Sequence, residues 1–271
     1  MLTVFFMAAS VHAVELEGTP VQGGLMFGSA APGTRVKLDQ SPVAVSDDGH
    51  FVIGFGRDET GTRHLELVSS DGSVETLELA VISREYSIER VDGLPPHTVK
   101  PDPAAAERIR METQMVINAR LQRFIHTGYT RGFAWPATGR ISGVYGSQRI
   151  LNGEPGRPHY GLDIAAPTGT LVSAPADGVI TLAHPDMYFS GGTIILDHGQ
   201  GLSSTFLHLS EILVEVGTTI EQGDAIGRIG STGRASGPHL DWRMNWLNKR
   251  VNPRPLLPDI SETPAGTFRT N

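Results

Sequence analysis

Short stretches in which apolar residues occupy every second position dominate the first third of the chain. Because successive side chains of an extended strand point to opposite faces, a period of two predicts half-buried β-strands rather than helices. Turn signals such as Ser70-Asp71-Gly72 separate the stretches, and the 32 glycines and 18 prolines of the chain favour many further turns. We therefore predict a mainly β protein with a β-sandwich over residues 14–92. The clearest alternating sets are Phe51, Ile53 and Phe55; Leu65 and Leu67; and Leu77 and Leu79.

A turn-rich linker and one α-helix are predicted over residues 93–134. Pro95-Pro96 cannot continue a strand, and Asp102 can cap a helix that begins at Ala104 and continues to about His126. Apolar residues form a broad stripe along this helix, which predicts that it packs between the two β-rich halves, with binding of a partner as the alternative. The proline-rich linker predicts that the sandwich stands apart from the rest of the chain. The stripe consists of Met111, Met115, Ile117, Leu121, Phe124 and Ile125.

The first 13 residues have the character of an export signal. An apolar run ends in Val11-His12-Ala13, which suits cleavage before Val14. The usual positive charge at the start of a signal is missing, and a buried first strand is the alternative interpretation. The run is too short to span a bilayer as a helix. We predict an exported, periplasmic protein with a signal peptide over residues 1–13 and no membrane span.

Charge and cysteine content exclude several classes of function. The formal net charge is −7, and no cluster of Lys and Arg resembles a phosphate-binding patch, which argues against a nucleic acid partner. The chain has no cysteine, so disulfides and thiolate ligands are excluded. Any metal site must therefore use histidines and carboxylates.

Two segments carry histidine and aspartate at even spacing. His159 and Asp163 are four residues apart, and His239 and Asp241 are two apart. In an extended strand, even spacing directs both side chains to the same face. Two such pairs could hold a divalent metal ion and leave other groups free for acid–base chemistry. With His208 between them in sequence, they indicate a metallohydrolase.

Residues 135–255 resemble the lysostaphin/LytM-type zinc endopeptidases of metallopeptidase family 23. The resemblance implies an antiparallel β-sheet with a metal-binding groove on one face, followed here by a tail over residues 256–271. Strands are predicted at Val172 to Ile180, Thr193 to Leu196, Ser204 to Leu207, Ala225 to Ile229 and Leu240 to Met244. The N-terminal sandwich is similar to the β-rich domain of some Gram-negative members. The matching segments include Arg140-Ile141-Ser142-Gly143, His159-Tyr160-Gly161-Leu162-Asp163, Phe206-Leu207-His208-Leu209, Ile229-Gly230-Ser231-Thr232-Gly233 and Gly237-Pro238-His239-Leu240-Asp241.

The resemblance implies a role for each of five residues. His159, Asp163 and Asp241 would bind one zinc ion, and His208 and His239 would be catalytic. The implied reaction is hydrolysis of a peptide bond in peptidoglycan: zinc polarises the carbonyl and acidifies water, and one histidine takes the proton.

Asp241 departs from the family, which usually has a histidine at this position. The centre would hold one imidazole and two carboxylates, so that with a divalent ion it is formally neutral rather than +1. This departure leaves an alternative open, a catalytically silent protein of the same fold that activates another cell-wall hydrolase. Arg149 and Tyr160 are candidates for lining the groove, with a place in the core as the equal alternative for Tyr160. His198 is predicted as a turn residue at the end of a strand.

Overall fold

Residues before the helix form two small antiparallel sheets, as the alternating pattern predicts. The computed structural model describes residues 14–91, 103–122, 124–151 and 153–259; the predicted signal peptide, most of the linker and most of the tail lie outside the described residues. The first strands are β1 (Glu15–Gly18), β2 (Leu25–Ser29), β3 (Arg35–Leu38), β4 (Ser41–Val43), β5 (His50–Gly54), β6 (Thr62–Val68) and β7 (Val74–Ala80). One sheet has the order β1-β2-β5 and the other has the order β4-β3-β6-β7.

Alternation along β6 shows why this region folds as strands. Leu65 and Leu67 on β6 are buried, whereas the adjacent residue His64 on the same strand is exposed. Leu65 lies opposite Leu38 on β3 and opposite Leu77 on β7, so the apolar side chains share one face. Burying such a face is the main source of stability for a sheet that is solvated on its other side.

The predicted helix is present but packs differently from the prediction. It is α1 (Ala106–Leu121), preceded by a short 3₁₀ turn at Pro103–Ala105. The predicted apolar stripe is largely exposed: Met111, Leu121 and Ile125 are 53%, 61% and 69% accessible. Instead, the smaller residues Val116 and Ala119 face the C-terminal sheet. The prediction that the stripe packs between the two halves was therefore wrong.

The C-terminal half is built on one large sheet, as the resemblance implies. Its strands are β9 (Arg140–Gly143), β12 (Gly161–Ala165), β13 (Leu171–Ser173), β14 (Gly178–Met187), β15 (Gly191–Gly199), β16 (Leu202–Ile212), β17 (Thr219–Ile220), β18 (Ala225–Ile229), β19 (His239–Trp246) and β20 (Lys249–Val251). The main path has the order β17-β14-β15-β16-β19-β12-β9, with antiparallel pairing throughout. The single strand predicted at Val172 to Ile180 is divided between β13 and β14, since Pro175 has no N–H to donate to a ladder.

A third small sheet links the two halves of the chain. Its strands are β8 (Ile88–Val91), β10 (Gln148–Leu151) and β11 (Glu154–Pro155). β8, from the N-terminal half, pairs in parallel with β10, which belongs to the loop that precedes β12. The N-terminal half therefore contacts the loop that leads to His159.

Side chains of both halves also share one hydrophobic core. Buried residues from Leu25 to Leu79 and from Tyr129 to Leu257 form a single cluster. A Cβ atom at Gly54 on β5 would lie 2.9 Å from Cβ of Trp246, and Lys249 Nζ donates a hydrogen bond of 3.1 Å to the Gly54 carbonyl. The prediction that the sandwich stands apart was wrong, because a flexible linker does not prevent two apolar faces from packing. Within the described residues, no helix is long and apolar enough to cross a membrane.

Candidate metal centre

Strand pairing brings the two predicted aspartate ligands together. In the register of β12 with β19, Asp163 lies directly opposite Asp241. Residues directly opposite in an antiparallel pair project to the same face, so the two carboxylates are neighbours. The intervening residues Leu162, Leu240 and Trp242 point to the other face and are no more than 1% exposed. The alternation that builds the core on one face thus builds the centre on the other.

His159 reaches the centre from a loop rather than from a strand, because β12 begins only at Gly161. Its backbone is fixed by two hydrogen bonds of 2.7 Å, from His159 N to Ser147 O and from Gly146 N to His159 O. The Nε2 atom of its imidazole lies 3.2 Å from Oδ1 of Asp163. Burial lowers the pKa of His159, but the Asp163 and Asp241 carboxylates raise that pKa by more, so the net shift is upward. A cation is therefore favoured at this position.

The three side chains fit a metal ion. One ligand atom from each of His159, Asp163 and Asp241 can be chosen so that all three lie within 4.8 Å of one another. Nε2 of His159 and Oδ1 of Asp163 are buried, and apart from the 3.2 Å contact between them neither has a hydrogen-bond partner. Buried polar atoms without partners are uncommon and costly. A zinc ion accepts ligands of these types and would supply the missing partner.

Arg243, which was not predicted as a site residue, binds the carboxylate of Asp241. Nε of Arg243 donates to both carboxylate oxygens of Asp241 at 3.0 Å, and Nη2 donates to Oδ2 at 2.5 Å. Burial raises the pKa of Asp241, but the guanidinium of Arg243 lowers that pKa by more, so the carboxylate stays ionised. The formal charge of the centre with a divalent ion is then +1, because Arg243 adds the unit that Asp241 removes. The neutral centre inferred from the sequence was incomplete for this reason.

His208 has an unusual backbone and a fixed tautomer. Its φ angle of +64° lies in the left-handed region, which few residues other than glycine adopt. Its Nδ1 lies 2.8 Å from the Thr232 carbonyl oxygen. Since a carbonyl oxygen only accepts, Nδ1 carries the proton and the lone pair is on Nε2. Burial lowers the pKa of His208, which favours this neutral form. Strained backbone that persists in a fold is often found at functional sites.

His239 begins β19 and has the same tautomer. Its Nδ1 lies 2.8 Å from the Gly237 carbonyl oxygen, which leaves the lone pair of Nε2 free. The rings of His208 and His239 are 4.8 Å apart between centroids, at an interplanar angle of 46°. His208 directly follows Leu207, which lies opposite Asp241. Two proton acceptors thus stand beside the three candidate ligands.

Two glycines make room for the carboxylates. A Cβ atom at Gly143 on β9 would overlap Oδ2 of Asp163, and a Cβ atom at Gly161 on β12 would overlap Oδ1 of Asp241. Neither glycine has a positive φ angle, so the requirement is for space rather than for backbone freedom. The strands that flank the centre therefore leave a cradle that any larger residue would fill.

The remaining predicted residues have different outcomes. The ring of Tyr160 makes an edge contact with Tyr145, with centroids 6.2 Å apart. The side chain of Arg149 lies outside the described residues. His198 is not a turn residue: it lies within β15 and is fully buried, with Nδ1 2.8 Å from the Asp177 carbonyl and Nε2 2.7 Å from Oγ of Ser204. Burial lowers the pKa of His198 to about 4, so it is a neutral part of the core.

Thr232 and Arg243 belong to the site but were not identified as such from the sequence. The Thr232 hydroxyl donates to the Leu209 carbonyl at 2.8 Å and accepts from the Gly192 N–H at 2.9 Å, which holds the carbonyl that orients His208. No residue-type pattern predicts a role played by a main-chain carbonyl. Arg243, by contrast, continues the even spacing of His239 and Asp241, and that spacing could have identified it.

Comparison with known proteins agrees with this geometry. The profile described as Peptidase family M23 matches residues 157–253. The peptidoglycan DD-endopeptidase ShyA of Vibrio cholerae is 39% identical over 97 residues, which are 35% of this chain and 22% of ShyA. The DD-carboxypeptidase/endopeptidase Mpg of Neisseria meningitidis is 38% identical over 132 residues, 48% of this chain and 30% of Mpg. The chain thus spans less than a third of the length of these relatives.

A solved structure extends the likeness beyond the matched segment. A Pseudomonas aeruginosa protein assigned to peptidase M23 superposes with a TM-score of 0.67 at 29% identity. The superposition covers 87% of this chain and 93% of the other. The N-terminal strands are therefore part of a shared architecture. With the matching profile over residues 157–253 and the cluster of His159, Asp163 and Asp241, these comparisons show that the C-terminal domain of this chain is similar to the domains of peptidase family M23.

Proposed function

We propose that this protein is a zinc metallopeptidase that hydrolyses peptide bonds in peptidoglycan. One observation carries the proposal: three ligand-competent side chains converge beside two histidines whose Nε2 atoms carry a lone pair that can accept a proton. A dead site would be expected to have lost some of these groups. This chain retains five side chains of the types that such a site requires.

His159, Asp163 and Asp241 are the proposed ligands of one zinc ion. Zinc bound there would act as a Lewis acid toward the scissile carbonyl and would increase the acidity of water. Arg243 fixes the orientation of the Asp241 carboxylate, and Asp163 is held opposite it by the register of the strands. Three protein ligands leave a coordination position open, as is typical of catalytic rather than structural zinc sites.

His208 and His239 are the proposed catalytic residues. With Nδ1–H donated to a main-chain carbonyl, each imidazole presents Nε2 as a proton acceptor. A histidine that has taken a proton becomes a donor from the same atom, so it can stabilise negative charge on oxygen or protonate a leaving amine. Burial lowers the pKa of His208, which favours the neutral form that a proton acceptor requires.

The names of the relatives support the proposed substrate class and location. The relatives ShyA and Mpg carry the names of endopeptidases, and ShyA is named for action on peptidoglycan. Peptidoglycan lies outside the cytoplasmic membrane, so the proposed substrate requires export of the protein. The apolar run over residues 1–13 is consistent with export to the periplasm.

The proposal is tested with the full-length chain purified without chelator. We expect about one zinc per chain by elemental analysis, and release of muropeptides from purified cell wall. His159→Ala is expected to lose the metal, because it removes one of three ligands. His208→Ala and His239→Ala are expected to keep the metal and to lose about 10²–10⁴-fold in rate, the usual cost of a general base.

His64→Ala is the matched control, since His64 is exposed on β6 and distant in sequence from the centre. It is expected to retain both zinc and activity. Absence of zinc from the wild-type protein would contradict the proposed ligands. Stoichiometric zinc with no cell-wall hydrolysis would instead support the alternative, a binding protein of the same fold that activates another hydrolase.

A further inference from the structure

Helix α1 and the metal centre lie on the same face of the large sheet. Across adjacent strands, Leu182 lies opposite Ile195, Ile195 opposite Thr205, and Thr205 opposite Arg243. Side chains of directly opposed residues project to the same face. Leu182 and Ile195 pack against Ala119 of α1, whereas Arg243 binds Asp241 of the centre. The helix therefore stands beside the floor that β16 and β19 form on this face of the sheet.

Two further arginines border this floor. Arg120, near the end of α1, donates from Nη2 to Oγ1 of Thr205 at 3.1 Å. Arg250, on β20, lies opposite Asn245 and donates from Nη1 to its Oδ1 at 3.1 Å. Asn245 follows Arg243 by two residues on β19, so it shares the face of the centre. Arg120, Arg243 and Arg250 are here called the arginine cluster.

The positive charge of the arginine cluster is largely uncompensated. Arg243 is paired with Asp241, but among the described residues neither Arg120 nor Arg250 has a carboxylate oxygen within salt-bridge distance. Nε of Arg120 is buried and has no hydrogen-bond partner. Burial and the neighbouring guanidinium groups lower the pKa of Arg120 to about 9 and that of Arg250 to about 10. Two such cations side by side are costly unless an anion joins them.

We propose that Arg120 and Arg250 form a subsite that binds a free carboxylate of the peptide substrate. A strand rises about 3.4 Å per residue, so Arg243 and Asn245 lie about 7 and 14 Å along β19 from Asp241. An extended peptide covers this distance in about two to four residues. The subsite therefore selects a carboxylate two to four residues from the scissile bond. Guanidinium groups suit carboxylates because they offer two parallel donors.

Two sources of such a carboxylate exist in a peptide, a side chain and the C-terminus. The probe is a synthetic cross-linked peptide of peptidoglycan type, with a version amidated on the side-chain carboxyl and a version amidated at the C-terminus. Binding is measured by calorimetry on the zinc-loaded His239→Ala protein, so that the peptides stay intact. We expect one amidation to weaken binding about 10–100-fold, the usual range for a charged hydrogen bond.

The same amidation should change peptide affinity little when Arg120→Gln or Arg250→Gln is combined with His239→Ala. Arg110→Gln is the matched control, since Arg110 is on α1 but exposed and paired with Glu107. Three results would each overturn the subsite. The three peptides could bind equally well, or none of them could bind. Amidation could also weaken binding to both arginine variants as strongly as to the background protein.

The subsite rests on the proposed function for the identity of its ligand, but the two can fail separately. If the zinc-loaded wild-type protein cleaves the peptides without discriminating amide from carboxylate, the peptidase stands and the subsite falls. If it cleaves none of them while binding still depends on the carboxylate through Arg120 or Arg250, the subsite stands and the peptidase falls.

Discussion

Replacing Arg243 with methionine should destabilise the metal-free protein far more than the zinc-loaded protein. The side chain of Asp241 is 3% exposed and that of Arg243 is 27% exposed. Removing one partner of a buried ion pair costs about 3–5 kcal/mol, because the other charge stays buried without compensation. Since Arg243 is partly exposed, we expect the lower end, about 3 kcal/mol, in the metal-free state. Methionine keeps most of the volume of the arginine stem, which limits the loss of packing.

Zinc changes this expectation because it is a second cation beside the same carboxylate. With zinc bound, Asp241 is no longer uncompensated, and we expect the loss to fall to about 1 kcal/mol. The thermodynamic cycle then requires the variant to bind zinc more tightly by about 2 kcal/mol, or roughly 30-fold. Arg243 thus competes with the metal for Asp241 while it orients that carboxylate.

The free energy of unfolding is measured by urea titration, with excess chelator for the metal-free state and excess zinc for the zinc-loaded state. The fluorescence of the three tryptophans reports the unfolding. Arg228→Met is the matched control: Arg228 forms an exposed pair with Glu211, and its loss should cost no more than about 1 kcal/mol in either state. In Asp241→Asn, the further change Arg243→Met should cost little. An equal loss with and without zinc would refute the reasoning, since packing alone would then explain the effect.

Three further changes test other parts of the structure. Gly161→Ala should weaken zinc binding about 10–100-fold, because the new methyl group displaces the Asp241 carboxylate. Gly56→Ala is the control and should leave the affinity unchanged. Unchanged zinc affinity of Gly161→Ala in a titration would contradict the prediction. Burial raises the pKa of Asp197 from 3.8 to about 6, because ionising this carboxyl is costlier in the folded protein than in the unfolded chain. The wild-type protein therefore loses stability as pH rises from about 4 through 6. Asp197→Asn should therefore gain up to about 3 kcal/mol over wild type between pH 4 and 8 in urea unfolding, and a pH-independent difference would count against it. A chain that starts at Pro101 should aggregate or lose several kcal/mol of stability, because it exposes large side chains of the shared core. A soluble fragment as stable as the full chain would show that the shared core is dispensable.

Alternation in the sequence is sufficient to predict most of the strands and the facing of Asp163 and Asp241, whereas His159 comes from a loop whose position alternation does not specify. Along β19, Leu240, Trp242 and Met244 point to the core and are 0% exposed, so His239, Asp241 and Arg243 must point the other way. What the sequence does not contain is the register between strands. That Asp163 lies opposite Asp241 depends on how β12 pairs with β19, a contact between segments nearly 80 residues apart. Family resemblance, rather than periodicity, supplied that information.

The helix shows where sequence reasoning failed. A stripe of large apolar residues normally identifies the buried face of a helix. In α1, Met111 and Leu121 are exposed, while Val116 and Ala119 contact the sheet. Charged contacts hold the helix in this orientation: Arg108 pairs with Asp186, and Glu112 accepts a hydrogen bond from the Tyr188 N–H. Such contacts depend on where β14 ends, which the sequence of the helix alone does not specify.

The position of Asp241 illustrates how a departure from a family pattern should be interpreted. A carboxylate in place of an imidazole lowers the charge of the centre by one, and on that ground alone the departure would weaken the case for an active peptidase. Arg243 follows two residues later on the same face of β19, and its guanidinium contacts both oxygens of Asp241. The two residues together have the net charge of a neutral imidazole and still offer an oxygen to a metal. Because strand geometry couples position i to position i+2, the unit proposed to take the place of a histidine ligand is this pair rather than Asp241 alone.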